Sequence, residues 1–321
     1  MKHFFAAFLF LAVLTACSSP QSQSAPVRLP RLEVNGTYLM NDQGDTVQLR
    51  GVSYGWHNLW PRFYNAESVR YLVKEWHATV LRASMGIGIN ELSYLVNPDY
   101  AKERITTVVD AAIEQGVYVL IDWHSHTLEL EPAVQFFTEM ATRYKGVPNV
   151  IYEIFNEPVE QSWSEVKAYA EKVISAIRSV EPESVILVGC PHWDQDIHLV
   201  AQDPIVGEKN LMYTVHFYAG THKEWLRQAS DYALSKGVPI FVSECAAMNA
   251  DGDGPLDVEE WQRWIDWMDA HRISWVAWSI SDKHETCSML LPSAASEGGW
   301  QEFEMKEWGQ MVRRYLLPNV Q

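Results

Sequence analysis

Eight short apolar runs, each followed by a longer stretch, constrain this chain more than any other feature of its sequence. The runs are Leu49–Ser53, Thr79–Ala83, Val117–Asp122, Val150–Phe155, Val185–Gly189, Met212–His216, Pro239–Ser243 and Trp275–Ile280. Most are apolar throughout, the pattern of parallel strands covered on both faces. The segments between them are amphipathic. From Trp163 to Val180, for example, Val166, Tyr169, Ala170, Val173, Ile174 and Ile177 recur at helical spacing. Eight such units predict an α/β fold, a closed (β/α)8 TIM barrel. The competing doubly wound sheet carries a glycine-rich phosphate loop after an early strand. Here the first run leads instead into Gly51-Val52-Ser53-Tyr54-Gly55-Trp56. Residues 31–47, with turns at Asn35-Gly36 and Gln43-Gly44, predict a hairpin closing the barrel floor. Residues 31–321 therefore read as one domain, without an internal repeat.

The segment before the barrel reads as an address. In residues 1–16, Lys2 supplies a positive charge and Phe4–Leu14 an apolar run too short to span a membrane as a mature helix. The run ends Leu14-Thr15-Ala16-Cys17, which resembles the lipobox of bacterial lipoproteins. That resemblance implies that Cys17 is lipidated and becomes the first mature residue, holding the protein on a membrane by its acyl chains alone. Residues 17–30 are rich in Ser, Gln and Pro and read as a flexible tether. No Asp follows Cys17, which favours the outer membrane. The other cysteines, Cys190, Cys245 and Cys287, are odd in number and irregular in spacing, and match no zinc pattern. They read as small buried residues with at most one disulfide.

Charge and aromatic content narrow the function. With 41 Asp+Glu against 25 Lys+Arg, the net charge of -16 repels phosphate backbones and excludes a nucleic-acid partner. Tryptophan is abundant, 14 residues of 321. An indole offers a flat apolar face and an N–H donor, suited to sugars and to cores alike.

Barrel chemistry sits at the C-terminal ends of the strands. Those ends carry Arg82, then Asp122-Trp123-His124-Ser125-His126, Asn156-Glu157-Pro158, His216-Phe217-Tyr218, Ser243-Glu244, and Trp278 followed by Asp282, Lys283 and Glu285. Glu157 and Glu244 stand out, because paired carboxyls are the machinery of glycoside hydrolysis. One serves as a protonated acid at the leaving oxygen, the other as an anion. Burial and mutual repulsion raise one of the two, while a cation keeps the other charged. Arg82 is the candidate cation and Tyr218 a candidate donor to the same carboxylate. A rival reading starts from His124-Ser125-His126, since H-x-H at a strand end is a metal motif. It would recruit His216 and Asp122, but it leaves Glu157, Glu244 and the tryptophans without a role. A second rival is a non-catalytic glycan-binding lipoprotein, which would not need both carboxyls with their support.

Taken in order, these strand ends resemble glycoside hydrolase family 5, and more narrowly its bacterial endo-β-1,4-glucanases (cellulases). The stretches that carry the resemblance are Leu49-Arg50-Gly51-Val52-Ser53, Leu81-Arg82-Ala83, Ile121-Asp122-Trp123-His124, Tyr152-Glu153-Ile154-Phe155-Asn156-Glu157-Pro158, His216-Phe217-Tyr218, Ser243-Glu244, Trp278-Ser279 with Lys283 and Glu285, and Gly298-Gly299-Trp300. The resemblance implies a retaining double displacement with Glu157 as acid/base and Glu244 as nucleophile. It implies that Asn156 binds the 2-hydroxyl of the reacting sugar, that Arg82 and Tyr218 hold Glu244, and that His124 and His216 complete the polar floor. It places Trp278 under the sugar beside the scissile bond. Lys283, Glu285, Trp60 and His57 then line the non-reducing side. The implied partner is a β-glucan polysaccharide or oligosaccharide, acted on by a monomer without a metal or organic cofactor. β-Mannan is the alternative sugar. The chain departs from the family pattern at Gly86, where relatives carry an aromatic close by, at His57, which is offset, and at Cys245 after the nucleophile.

Overall fold

The computed structural model describes Met1 and residues 29–318. The signal segment, Cys17 and most of the tether therefore lie outside the described residues. Strands β1 (Leu32–Asn35) and β2 (Tyr38–Asn41) form the expected antiparallel hairpin. Eight parallel strands then close a barrel: β3 (Arg50–Tyr54), β4 (Val80–Gly86), β5 (Tyr118–His124), β6 (Val150–Glu153), β7 (Ile186–Val188), β8 (Leu211–Tyr218), β9 (Ile240–Ala246) and β10 (Trp275–Ile280), with β10 pairing back onto β3. All eight lie where the apolar runs predict them. Their ends differ by up to three residues, because the polar strand-end residues of β4, β5, β8 and β9 continue the ladder.

The uninterrupted apolar runs follow from the closed sheet. Inward-facing Val80, Leu120, Ile151, Leu187, Met212, Phe241 and Val276 stack in the lower barrel, and Leu32 and Leu39 of the hairpin close that cluster from below. Outward neighbours such as Leu81, Val119, Tyr152 and Ile186 join the larger core under the helices. The long helices are α1 (Ala66–Glu75), α2 (Pro98–Gln115), α3 (Leu130–Arg143) and α4 (Trp163–Arg178) in the first half. After two short elements, α5 (Pro191–Asp194) and α6 (Ile197–Gln202), come α7 (Glu224–Ser235), α8 (Val258–His271) and α9 (Glu307–Leu316). Local signals set their ends. Ser162 and Glu165 form a capping box at the start of α4, and Gly116 stops α2 with φ of 69°, a left-handed value glycine adopts without penalty. Among the described residues no helix is long and apolar enough to cross a membrane.

Seven tryptophans, Trp76, Trp123, Trp261, Trp264, Trp275, Trp300 and Trp308, are wholly buried in the core. Half of the tryptophans are therefore taken up by core packing. Cys190, Cys245 and Cys287 are buried and free, so the provision for one disulfide among them is unused.

Candidate active site

Two residues up from the apolar layer, the barrel interior turns polar. On β4 the inward sequence runs Val80, Arg82, and on β5 Leu120, Asp122, His124. Register pairs Arg82 with Leu120, Asp122 with Glu153, and His216 with Glu244. One position breaks the alternation. From Thr214 to His216 β8 advances two residues while β9 advances three, from Phe241 to Glu244, and β9 gains the same extra residue against β10. This bulge lets both Ser243 and Glu244 face the interior, where a regular strand would turn one of them outward.

Arg82 is wholly buried at the centre. Its Nε and Nη2 hold the two oxygens of Glu153 at 2.7 and 3.1 Å, and Nη2 also donates to Asn156 Oδ1 at 2.7 Å. Asp122 Oδ2 lies 3.0 Å from Nη2, and Nη1 donates to Glu244 Oε2 at 3.0 Å. The second oxygen of Glu244 accepts the Tyr218 hydroxyl at 2.7 Å. Burial by itself raises Glu153, but Arg82 and His216 overrule it and hold that carboxyl at about 2. Burial and repulsion from Glu157 push Glu244 upward, against the pull of His216, Arg82 and Tyr218. Burial acts upward on Glu157 more than any other single influence, but His216, through its hydrogen bond at 2.9 Å and its charge, together with His126 and Arg82, brings the carboxyl below its ordinary value. Glu157 and Glu244 titrate as a pair, with Glu157 drawn below and Glu244 pushed above the ordinary carboxyl value, while two donors to Glu244, one a guanidinium, are placed to hold its negative charge when it forms.

The surrounding residues fall on two sides. His124 is buried, and burial together with Arg82 keeps its ring neutral. Its Nδ1 donates to Asp122 at 2.6 Å, and its ring stacks on Trp278 at 5.2 Å and meets the edge of Trp56 at 4.6 Å. Asn156 is wholly buried, yet its Nδ2 has no hydrogen-bond partner among the described residues. Beyond β10, Lys283 pairs with Glu285, and Lys306 Nζ binds the backbone oxygens of both at 2.5 and 2.8 Å. Trp60 is half-buried across Gly55, where a Cβ would stand 2.7 Å from its ring. On the Glu157 side, a cleft of about 540 Å³ is lined by His126, Trp193, Tyr218 and His222 along with both carboxyls.

His57 does not belong to the cleft. It is fully buried, its Nδ1 accepting the Gly86 N–H at 3.0 Å and its Nε2 donating to the Leu92 carbonyl at 3.0 Å. A histidine offset in the loop after β3 braces backbone there instead of meeting a ligand. His126, whose neighbour His124 drew the metal reading, has its Nδ1 3.7 Å from Glu157 Oε2. The set expected for a metal does not converge, because His124 is bonded to Asp122 and His216 to Glu157. Glu157, His216 and Glu244 do come together, with one oxygen or nitrogen of each within 4.8 Å of the others. Hydrogen bonds already engage each of them, Glu157 with His216, and Glu244 with Arg82 and Tyr218.

Sequence reasoning missed Glu153, Trp56, Trp193 and Asp194. Glu153 and Trp56 stood inside quoted motifs without a role. Trp193 and Asp194 come a few residues past the fifth apolar run, Val185–Gly189, close to the strand-end signal that marked the others. Trp56 also accounts for Gly86: a Cβ there would lie 3.0 Å from its ring and 2.1 Å from Asn58 Oδ1.

A closed parallel barrel with two carboxyls at one mouth, one gripped by a buried arginine and a tyrosine, defines the hydrolase class of TIM barrel that works on glycosidic bonds. The family model "Cellulase (glycosyl hydrolase family 5)" matches residues 40–284. The chain belongs to glycosyl hydrolase family 5. It is 42% identical to Endoglucanase A of Evansella cellulosilytica over 281 residues, 85% of this chain and 57% of that protein. The chain thus spans a little over half the length of that curated relative. A solved structure from Cytophaga hutchinsonii superposes with a TM-score of 0.87 at 43% identity, covering 89% of this chain and 94% of that one. The catalytic domain of Thermobifida fusca endoglucanase Cel5A, solved in complex with cellotetraose, matches with a TM-score of 0.83 at 35% identity, over 89% of this chain and 97% of that one.

Proposed function

We propose that this protein is a retaining endo-β-1,4-glucanase acting on cellulose or a related β-glucan. The observation that carries the mechanism is the spacing of the carboxyls. Glu157 and Glu244 bring oxygens within 4.8 Å of each other. Retaining enzymes hold the pair roughly 5–5.5 Å apart, whereas inversion needs roughly 6.5–9.5 Å to seat a water. Glu244 attacks the anomeric carbon and forms a glycosyl ester as the bond to the leaving sugar breaks. The proton of Glu157 goes to the departing oxygen. In the second half, water gives a proton to Glu157 and its oxygen to the anomeric carbon, and Glu244 leaves as the carboxylate. Asn156 Nδ2 is placed to donate to the 2-hydroxyl, a contact that strengthens toward the transition state. Trp278 offers its ring to the reacting sugar. Lys283, Glu285 and Trp60 serve the sugars on the non-reducing side. The endo-acting β-glucan assignment draws on the endoglucanase relatives and on the cellotetraose complex of one of them.

The test is reducing-end release from carboxymethylcellulose with viscosity followed in parallel. A steep early viscosity drop supports internal cleavage. Release from mannan alone would move the substrate assignment, and binding without release would replace the enzyme with a glycan-capturing protein. Early products seen by NMR should retain the β configuration. We further propose that Cys17 anchors a monomer to the outer membrane. The sequence reading of the lipobox supports this, and incorporation of labelled palmitate, lost in Cys17→Ser, tests it.

A further inference from the structure

Behind Glu157 lies a buried carboxylate that the reaction above leaves without a task. After β7 the chain makes a left-handed turn in which His192, Trp193 and Asp194 have φ of 58°, 53° and 58°. Three successive non-glycine residues in that region are sterically unfavourable, and such strain gathers at functional sites. The turn buries Asp194 completely. Its Oδ1 accepts the Cys190 N–H at 2.6 Å, and its Oδ2 accepts the Thr214 hydroxyl and stands 3.3 Å from His216 Nε2.

The geometry around His216 assigns its protons. The Ser243 hydroxyl donates to Glu153 at 2.6 Å, so His216 Nε2, 2.9 Å from the same oxygen, is the donor in that contact. Nδ1 lies 2.9 Å from Glu157 Oε1. A ring with one proton would carry it on Nε2 and present a bare Nδ1 to Glu157. The Glu157 proton would then bond into the ring and away from the substrate. A doubly protonated ring donates at both ends and leaves that proton on the other carboxyl oxygen. The titratable groups facing His216 are Asp194 after β7, Glu153 and Glu157 at and beyond the end of β6, Glu244 on β9, Asp122 and His124 on β5, and His222 after β8, the two histidines both held low by burial. Burial lowers the proton affinity of the ring, and Asp194 leads the contributions that reverse it and hold it well above the ordinary histidine value; burial likewise pushes Asp194 upward, against His216 and the Thr214 hydroxyl, so each charge of the pair depends on the other.

We propose that Asp194 is a positioning residue for the acid: it keeps both nitrogens of His216 protonated, so that Nδ1–H grips Glu157 Oε1 and the Glu157 proton is delivered to the leaving sugar. In that step the Glu157 O–H bond breaks and its proton joins the glycosidic oxygen. The electron pair of the broken C–O bond stays on that oxygen, and the new carboxylate is met by Nδ1–H. The proposal rests on the glycosidase reading above.

Asp194→Asn keeps the size of the side chain and an acceptor for Cys190. It should lower kcat/KM for cellotetraose about 10- to 100-fold, within the usual contribution of general acid catalysis. It should also move the alkaline limb of the pH profile about one unit toward acid. Hydrolysis of 2,4-dinitrophenyl β-cellobioside, whose leaving group needs no proton, should stay within about threefold in its bond-breaking step. An equal loss on both substrates, or an unmoved limb, overturns the proposal. Nitrogen-15 NMR of the wild-type ring decides it whatever the variant's folding. Two N–H resonances for His216 at pH 7 are expected, and one bare nitrogen refutes it. If the wild type cleaves neither substrate, the glycosidase reading fails, while the NMR still tests the hold of Asp194 on the ring.

Discussion

Replacing Tyr218 by phenylalanine removes a single oxygen from the site and isolates one term in the control of Glu244. The hydroxyl donates to Glu244 Oε1 at 2.7 Å, and Arg82 still holds Oε2 at 3.0 Å in the variant. A hydrogen bond to a charged group is worth about 1.5–3 kcal/mol. At 1.36 kcal/mol per pKa unit, its loss should raise the Glu244 pKa by about one to two units. The sign is set by which form loses the bond: the carboxylate accepts the hydroxyl proton, so the charged form is the one destabilised. The acid limb of kcat/KM, which reports the free enzyme, should move upward by that amount. The alkaline limb should stay, because burial and the Glu244 charge hold the Tyr218 phenol well above its ordinary value and it does not titrate there in the wild type. The assay is kcat/KM for cellotetraose from pH 3 to 9 in both proteins at constant ionic strength. An acid limb that stays put, or moves downward, would refute the claim that Tyr218 stabilises the charged form of Glu244.

Further outcomes follow from the same geometry. Glu157→Gln and Glu244→Gln should each reduce hydrolysis of cellotetraose at least about 10²-fold, with unfolding midpoints near wild type. Retention of wild-type turnover in either would remove that residue from the mechanism. His57→Ala should leave KM within twofold but cost about 2–4 kcal/mol of stability, since the Gly86 N–H and Leu92 carbonyl lose a buried partner. Urea titration together with Michaelis kinetics separates those effects, and a raised KM at unchanged stability would return His57 to the cleft. His57 and His222 are both lowered by burial to about 4, so each stays neutral in the folded chain where the unfolded chain takes up a proton. Stability should therefore fall as pH drops from 6.5 toward 4, by up to about 2.7 kcal/mol per unit from the two together. A flat unfolding free energy across that window would contradict the burial assigned to them.

The sequence alone determined the barrel and most of the catalytic mouth, and the reason is periodicity. Strands covered on both faces must be apolar throughout, so their ends are visible wherever polar residues begin. That made Arg82, Glu157, His216, Tyr218 and Glu244 legible as strand-end residues from the sequence alone. What it could not express is which way a residue points when the period breaks. A regular β9 cannot turn both Ser243 and Glu244 inward, and only the bulge read from the pairing with β8 and β10 does so. Burial and partnership were equally hidden. His57 looked like a cleft residue because its type and its place after a strand fitted, but the packed loop claims both its nitrogens. Glu153 and Asp194 looked like ordinary acids on a chain rich in them. Only the closed barrel, which brings six strands within reach of one guanidinium and one imidazole, makes them part of the site.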